Sequence, residues 1–110
     1  MITLEQIAKK LNLTDLTKKN SNTNINSVYT SDLLSDILAN APEKSLIITV
    51  QAHINTVAVA WTKKSPAIII CNNISIPEEI KTACIEYDIE LFSTPLCQYK
   101  TSGLIYQMLN

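Results

Sequence analysis

The chain has 110 residues and a formal net charge of -1, with nine basic and ten acidic side chains. Basic residues pair only at Lys9-Lys10, Lys18-Lys19 and Lys63-Lys64, so no basic stripe exists to neutralise a phosphate backbone, which excludes nucleic acid as a partner. Apolar residues make up 46% of the sequence and charged ones only 17%. That shortage of charge leaves room for a subunit interface and predicts a homo-oligomer, most simply a C2 dimer.

One core of ordinary size suits this length, so residues 1–110 are read as a single domain. No apolar run approaches the roughly 20 residues that cross a bilayer, and the N-terminus reads as an amphipathic helix instead of a signal segment. A cytoplasmic protein without a membrane partner is expected. The three cysteines, Cys71, Cys84 and Cys97, are odd in number and form no CxxC pair, which argues for reduced, mostly buried thiols over disulfides or zinc. With a single histidine as well, no metal and no cofactor are expected. The lone glycine, Gly103, cannot supply a phosphate-cradling loop, so neither a P-loop nor a dinucleotide fingerprint can be written.

In chain order, Thr3-Leu-Glu-Gln6 has the form of a capping box, opening a helix to about Leu11 whose stripe is Leu4, Ile7, Ala8 and Leu11. Leu13 to Leu16 reads as a short strand, and residues 17–24 as an exposed, mobile polar loop. Residues 25–30 lean to strand. Ser31 or Asp32 is then placed to cap a second helix that buries Leu33, Leu34, Ile37, Leu38 and Ala41 before Pro42 ends it. Asp32 and Asp36 share a helix face, but a cap and a dipole-favoured acid explain them better than paired catalytic or metal-binding carboxylates.

Residues 46–50 and 67–71 are short, almost wholly apolar, β-branched runs, as expected of strands buried on both faces. Between them Ile54, Val57, Ala58 and Trp61 fall at helical spacing, and a parallel pair needs a crossover of about this length. A fourth helix begins near Ser75-Ile-Pro-Glu-Glu79 and buries Ile80, Ala83, Cys84 and Tyr87. A third strand follows at 89–93, then a last helix capped by Thr94-Pro95 and carrying Thr101, Leu104, Ile105, Met108 and Leu109. The three strands should lie in one parallel sheet with helices on its faces.

Ligands in such a sheet bind beyond the carboxyl ends of the strands. Those ends carry Gln51-Ala-His-Ile-Asn55, Cys71-Asn-Asn73 and Ser93-Thr94. His53 is the one side chain suited to titrate near neutrality, with Cys71 following the neighbouring strand, yet no Ser-His-Asp or Cys-His spacing accompanies it. No catalytic residue is assigned. The expected ligand contacts are Gln51, His53, Asn55 and Thr94, joined by Ser31 and Asp32 if the second helix starts at the same edge, and Asn72-Asn73 is read as a turn.

Tyr29-Thr-Ser-Asp-Leu-Leu-Ser-Asp-Ile-Leu-Ala-Asn-Ala41, the stretch from Leu46 through Gln51-Ala-His-Ile-Asn55 to Ala60, and Thr94-Pro95-Leu96 together resemble the DRTGG domain. That domain is similar to the N-terminal domain of HPr kinase/phosphorylase, and it also occurs in phosphotransacetylases, in CBS-domain pyrophosphatases and as short stand-alone proteins. The resemblance runs from about Ile25 to Leu109. It departs at the naming motif, where the family's glycine pair falls on Ser27 and Val28 and the preceding Asp-Arg is absent near Asn24. The resemblance implies a three-layer α/β/α fold with a mainly parallel sheet of four to five strands and no established chemistry of its own. It further implies a non-enzymatic regulatory or ligand-binding protein, with a nucleotide or small anionic metabolite as ligand and a partner enzyme. The alternative is an interaction module that stabilises a metabolic or redox enzyme assembly without a small molecule.

Overall fold

The computed structural model describes residues 2–19 and 22–109. Its elements are β1 (Ile2–Thr3), α1 (Leu4–Lys10), β2 (Thr14–Asp15), β3 (Asn24–Ile25), β4 (Val28–Thr30), α2 (Leu34–Asn40), β5 (Leu46–Thr49), α3 (Ile54–Thr62), β6 (Ala67–Ile70), α4 (Glu78–Glu86), β7 (Glu90–Ser93) and α5 (Gln98–Leu109). A five-stranded sheet runs in the order β2-β7-β6-β5-β4, and β1 pairs with β3 in a separate small ladder. From β4 to β7 the pairing is parallel, while β2 closes the far edge antiparallel to β7.

Alternation along the strands produces the three layers. Ile47, Ile68, Ile70 and Leu91 point to one face, where they pack with Ile37 of α2, Val57 and Ala60 of α3, and Ile80, Ala83 and Cys84 of α4. Leu46, Ile48, Ala67, Ile69 and Phe92 point to the other, against Leu4 and Ile7 of α1 and Ile105 of α5. Successive crossovers of one hand place α2, α3 and α4 together. After β7 the chain changes side, and α5 covers the opposite face. The α1 capping box forms as expected: Gln6 N–H donates to Thr3 Oγ1 at 3.2 Å, and Gln6 Oε1 accepts from Thr3 N–H at 2.9 Å.

Five expectations need correction. Helix α2 starts at Leu34 with Leu33 as its N-cap and no side-chain cap, because Ser31 Oγ accepts from Leu33 N–H at 3.1 Å and spends itself on a turn before the helix. Leu33 and Leu38 are exposed, since a seven-residue helix over the sheet edge meets it with little more than Ile37. Helix α5 starts at Gln98, not after Thr94, whose hydroxyl instead accepts from Leu96 N–H at 3.2 Å within the preceding turn. Helix α3 buries Thr56, Val57 and Ala60 and leaves Ile54, Ala58 and Trp61 exposed. Its apolar residues go nearly all the way round, so spacing alone could not choose a face, and the small Ala60 lets the helix lie close to the sheet. Tyr87, likewise exposed, meets Trp61 with ring centroids 6.0 Å apart.

Asn20 and Ser21 of the polar loop lie outside the described residues. Its first residues are anchored: Thr17 Oγ1 accepts from Leu91 N–H at 3.2 Å, Asp15 Oδ1 accepts from Lys18 N–H at 2.8 Å, and Lys19 is ion-paired with Asp88.

Candidate functional site

Parallel register sets the carboxyl ends of the strands level, with Thr49 opposite Ile70 and Ile70 opposite Ser93. Beyond Thr49 the chain turns on local hydrogen bonds. Gln51 N–H donates to Thr49 Oγ1 at 3.2 Å, and Thr56 Oγ1 donates to Gln51 C=O at 2.7 Å. The Gln51 side chain reaches sideways, its Nε2 donating to Asp32 C=O at 2.9 Å. This bond ties the β5–α3 turn to the β4–α2 turn. Ser31 belongs to the same corner, its N–H donating to Ile48 C=O at 3.1 Å and so prolonging the β4–β5 ladder.

His53 caps α3: its Nδ1 accepts from Asn55 N–H at 3.0 Å. An Nδ1 that accepts carries no proton, so the capping ring is the neutral tautomer with its hydrogen on Nε2. A charged imidazolium contact to an anion would therefore require the cap to be given up. Gln51, His53 and Asn55 are exposed, as is Asp32. The structure thus gathers five expected residues, Ser31, Asp32, Gln51, His53 and Asn55, around the start of α3.

Thr94 stands apart. It follows β7, two strands from β5 and so about 10 Å away. It is 2% exposed, and its carbonyl accepts from Asn73 N–H at 2.9 Å. Asn72 N–H donates to Leu96 C=O, also at 2.9 Å, which zips the turns after β6 and β7 together. Cys71 does not meet His53: it belongs to the core facing α1 and α5, while α3, which His53 caps, packs on the other face. Burial pushes the Cys71 thiol above its ordinary pKa, although contact with Thr101 works the other way.

Asp36 is no partner for Asp32. Its carboxylate accepts from Asn40 Nδ2 and from Tyr29 OH, each at 2.8 Å. Hydrogen bonds from Asn40, Ser31 and Tyr29 hold it below the usual carboxylate range, and the bond to Asp36 raises the Tyr29 phenol. Among the described residues no group of three or more His, Cys, Asp or Glu could hold a metal ion.

Sequence reasoning missed the surface groove between α3 and α4, of about 520 Å³ and lined by Ile54, Val57, Ala58, Trp61, Ala83 and Tyr87 among others. The signal was present in the continuous apolar run of α3, which exceeds what one buried face needs. At the naming motif, Ser27 Oγ lies 2.7 Å from Ser45 Oγ, and Val28 begins edge strand β4 opposite Leu46. Side chains stand there where the resembling family has glycines.

The model of the family described as HPr serine kinase N terminus matches residues 47–110. The chain belongs to that family. The match begins within β5 and takes in α3, His53 and every later element, which bears out the resemblance drawn from the Gln-x-His-x-Asn segment. No curated protein gives a significant match. Among solved structures, the fold is similar to the CBS and DRTGG domains of the regulatory region of Clostridium perfringens pyrophosphatase, crystallised with its activator diadenosine tetraphosphate. The TM-score is 0.74 at 18% identity, covering 96% of this chain and 46% of that one. This member of the HPr serine kinase N-terminus family therefore spans about half the length of that regulatory region and is similar to it in fold over that share.

Proposed function

We propose that the chain is a non-enzymatic regulatory protein that binds a small anionic ligand, a nucleotide or phosphorylated metabolite, where β4 and β5 meet α3. The observation that carries this reading is the Gln51 to Asp32 bond, which draws two turns together beside the first turn of α3. The dipole of α3 favours negative charge at its N-terminus, although His53 already accepts from the N–H groups of Asn55 and Thr56. The carboxamides of Gln51 and Asn55 and the Nε2–H of His53 supply the remaining donors. With no glycine in these turns, side chains and the helix start must do the holding. The similar pyrophosphatase region, which is regulatory and was crystallised with a dinucleoside polyphosphate, supports the ligand class. Action in the cytoplasm on a partner enzyme, as a homodimer, completes the reading.

A thermal-shift panel of adenine nucleotides and phosphorylated metabolites tests it. A stabilising ligand is then titrated calorimetrically against Gln51→Ala and Asn55→Ala. Weakened binding in both supports the assignment; unchanged binding with the fold intact moves the site elsewhere.

The exposed groove favours a second reading, an interaction module whose contacts are made by Trp61, Tyr87 and Ile54. A panel without any stabilising ligand, together with a partner interaction lost on Trp61→Ala, would favour it.

A further inference from the structure

Two of the three cysteines converge where β6 ends and α5 begins, outside the proposed ligand site. Cys71, the first residue after β6, is fully buried, and its sulfur lies 3.6 Å from Thr101 Oγ1. Thr101 is one helical turn after Cys97, and its N–H donates to Cys97 C=O at 3.0 Å. Cys97 immediately precedes α5, one turn from Thr101 and near enough for its charge to act on Cys71. The backbone gives the same placement independently, since Asn72, next to Cys71, is bonded to Leu96, next to Cys97, at 2.9 Å. Cys97 is exposed, whereas Cys84 is a buried residue of α4 on the opposite face.

We propose that Cys97 and Cys71 form a redox pair in which a hydroperoxide oxidises Cys97 and Cys71 resolves it to an intramolecular disulfide. The environments divide the roles. The N–H groups of Lys100 and Tyr99 and the Lys100 charge favour the Cys97 thiolate, the reactive form. Cys71, shut away and held as the thiol by burial, is protected from direct attack. In the first step the Cys97 thiolate attacks the peroxide oxygen, the O–O bond breaks, and with one proton taken up the products are a sulfenic acid and water (or an alcohol). In the second, the Cys71 sulfur attacks the sulfenic sulfur, the S–O bond breaks, and the Cys71 proton leaves with the hydroxyl as a second water. The peroxide is reduced and the two thiols are oxidised by two electrons. A disulfide requires the Cβ atoms to approach to about 3.5 to 4.5 Å, so the first turn of α5, the part of a helix that frays most readily, must move inward. The product would staple α5 to the end of β6.

The test exposes the reduced full chain to a slight excess of hydrogen peroxide, followed by non-reducing peptide mapping. The expected product, once denatured, is a single chain lighter by two hydrogens and cross-linked between Cys71 and Cys97. Cys84→Ser should behave as wild type, Cys97→Ser should give no cross-link, and Cys71→Ala should accumulate a sulfenic acid on Cys97 that dimedone traps. If Cys71→Ala does not fold, the wild-type map decides alone. Three free thiols, a purely intermolecular Cys97 disulfide or a wild-type chain that stops at oxidised Cys97 would each overturn the proposal.

Discussion

The Tyr29 hydroxyl donates to the Asp36 carboxylate at 2.8 Å, fastening edge strand β4 to the first turn of α2. Asn40 Nδ2 donates to the same oxygen from one turn later, so strand and helix share one anion. Because the donors favour the ionised form, the folded-state pKa of Asp36 is lowered. Stability from this group is present above its unfolded value and is lost as pH falls through the lower, folded one. Tyr29 is raised, so its contribution is present below the ordinary phenol value and is lost as pH rises through the folded one. Asp36→Asn should therefore flatten the acid limb of the pH–stability curve, and Tyr29→Phe the alkaline limb. Thermal melts across the acid and alkaline ranges check both, and an unaltered acid limb in Asp36→Asn would contradict the assignment.

Gln51→Ala removes the tether to Asp32 and should cost about 0.5 to 1.5 kcal/mol in urea unfolding, the usual net value of one hydrogen bond. Gln51→Glu should cost more, because a carboxylate set against the Asp32 carbonyl meets an acceptor with an acceptor. Equal stability of the two variants would mean that the tether does not form in solution.

His53 has a structural duty separable from ligand contact. His53→Ala removes the α3 cap, expected to cost roughly 0.5 to 2 kcal/mol, whereas His53→Ser keeps an acceptor and should recover most of that loss. If ligand affinity falls in both while only alanine is destabilising, the ring contacts the ligand. If serine restores affinity as well, the ring acts only through the cap.

The one glycine is misplaced for its own conformational talent. Gly103 sits inside α5 with open space where a Cβ would go, while the positive-φ positions among the described residues, including Asn72 at 67° and Asn73 at 53°, are all non-glycine. Gly103→Ala should stabilise the protein by roughly 0.5 to 1 kcal/mol. Chemical denaturation showing a loss instead would mean that α5 packs against something at that point.

The exposed Ile54 and Trp61 of α3 and Leu38 of α2 lead us to expect self-association. Light scattering across the micromolar range should give twice the chain mass, and Trp61→Arg should reduce it to one. A wild-type chain that is monomeric throughout would remove the dimer.

By itself the sequence determined the parallel core strands, since Leu46 to Thr49 and Ala67 to Ile70 are too uniformly apolar to tolerate water on either face. It also determined the α1 cap, because Thr3 and Gln6 satisfy each other within one turn. These are local matters, settled by period and by residues that are near neighbours in the chain. Only the tertiary structure decided which side of α3 meets the sheet, because a helix that is apolar nearly all round has no preferred face until a neighbour's shape selects Val57 and Ala60. The same holds for Ser31 and Thr94, whose hydroxyls could have capped helices but were taken by closer backbone donors. The reach of Gln51 to Asp32 and the contact of Cys71 with Thr101 depend on strand register and on α5 crossing to the far face. No spacing encodes such relations, because they arise between segments joined only through the sheet.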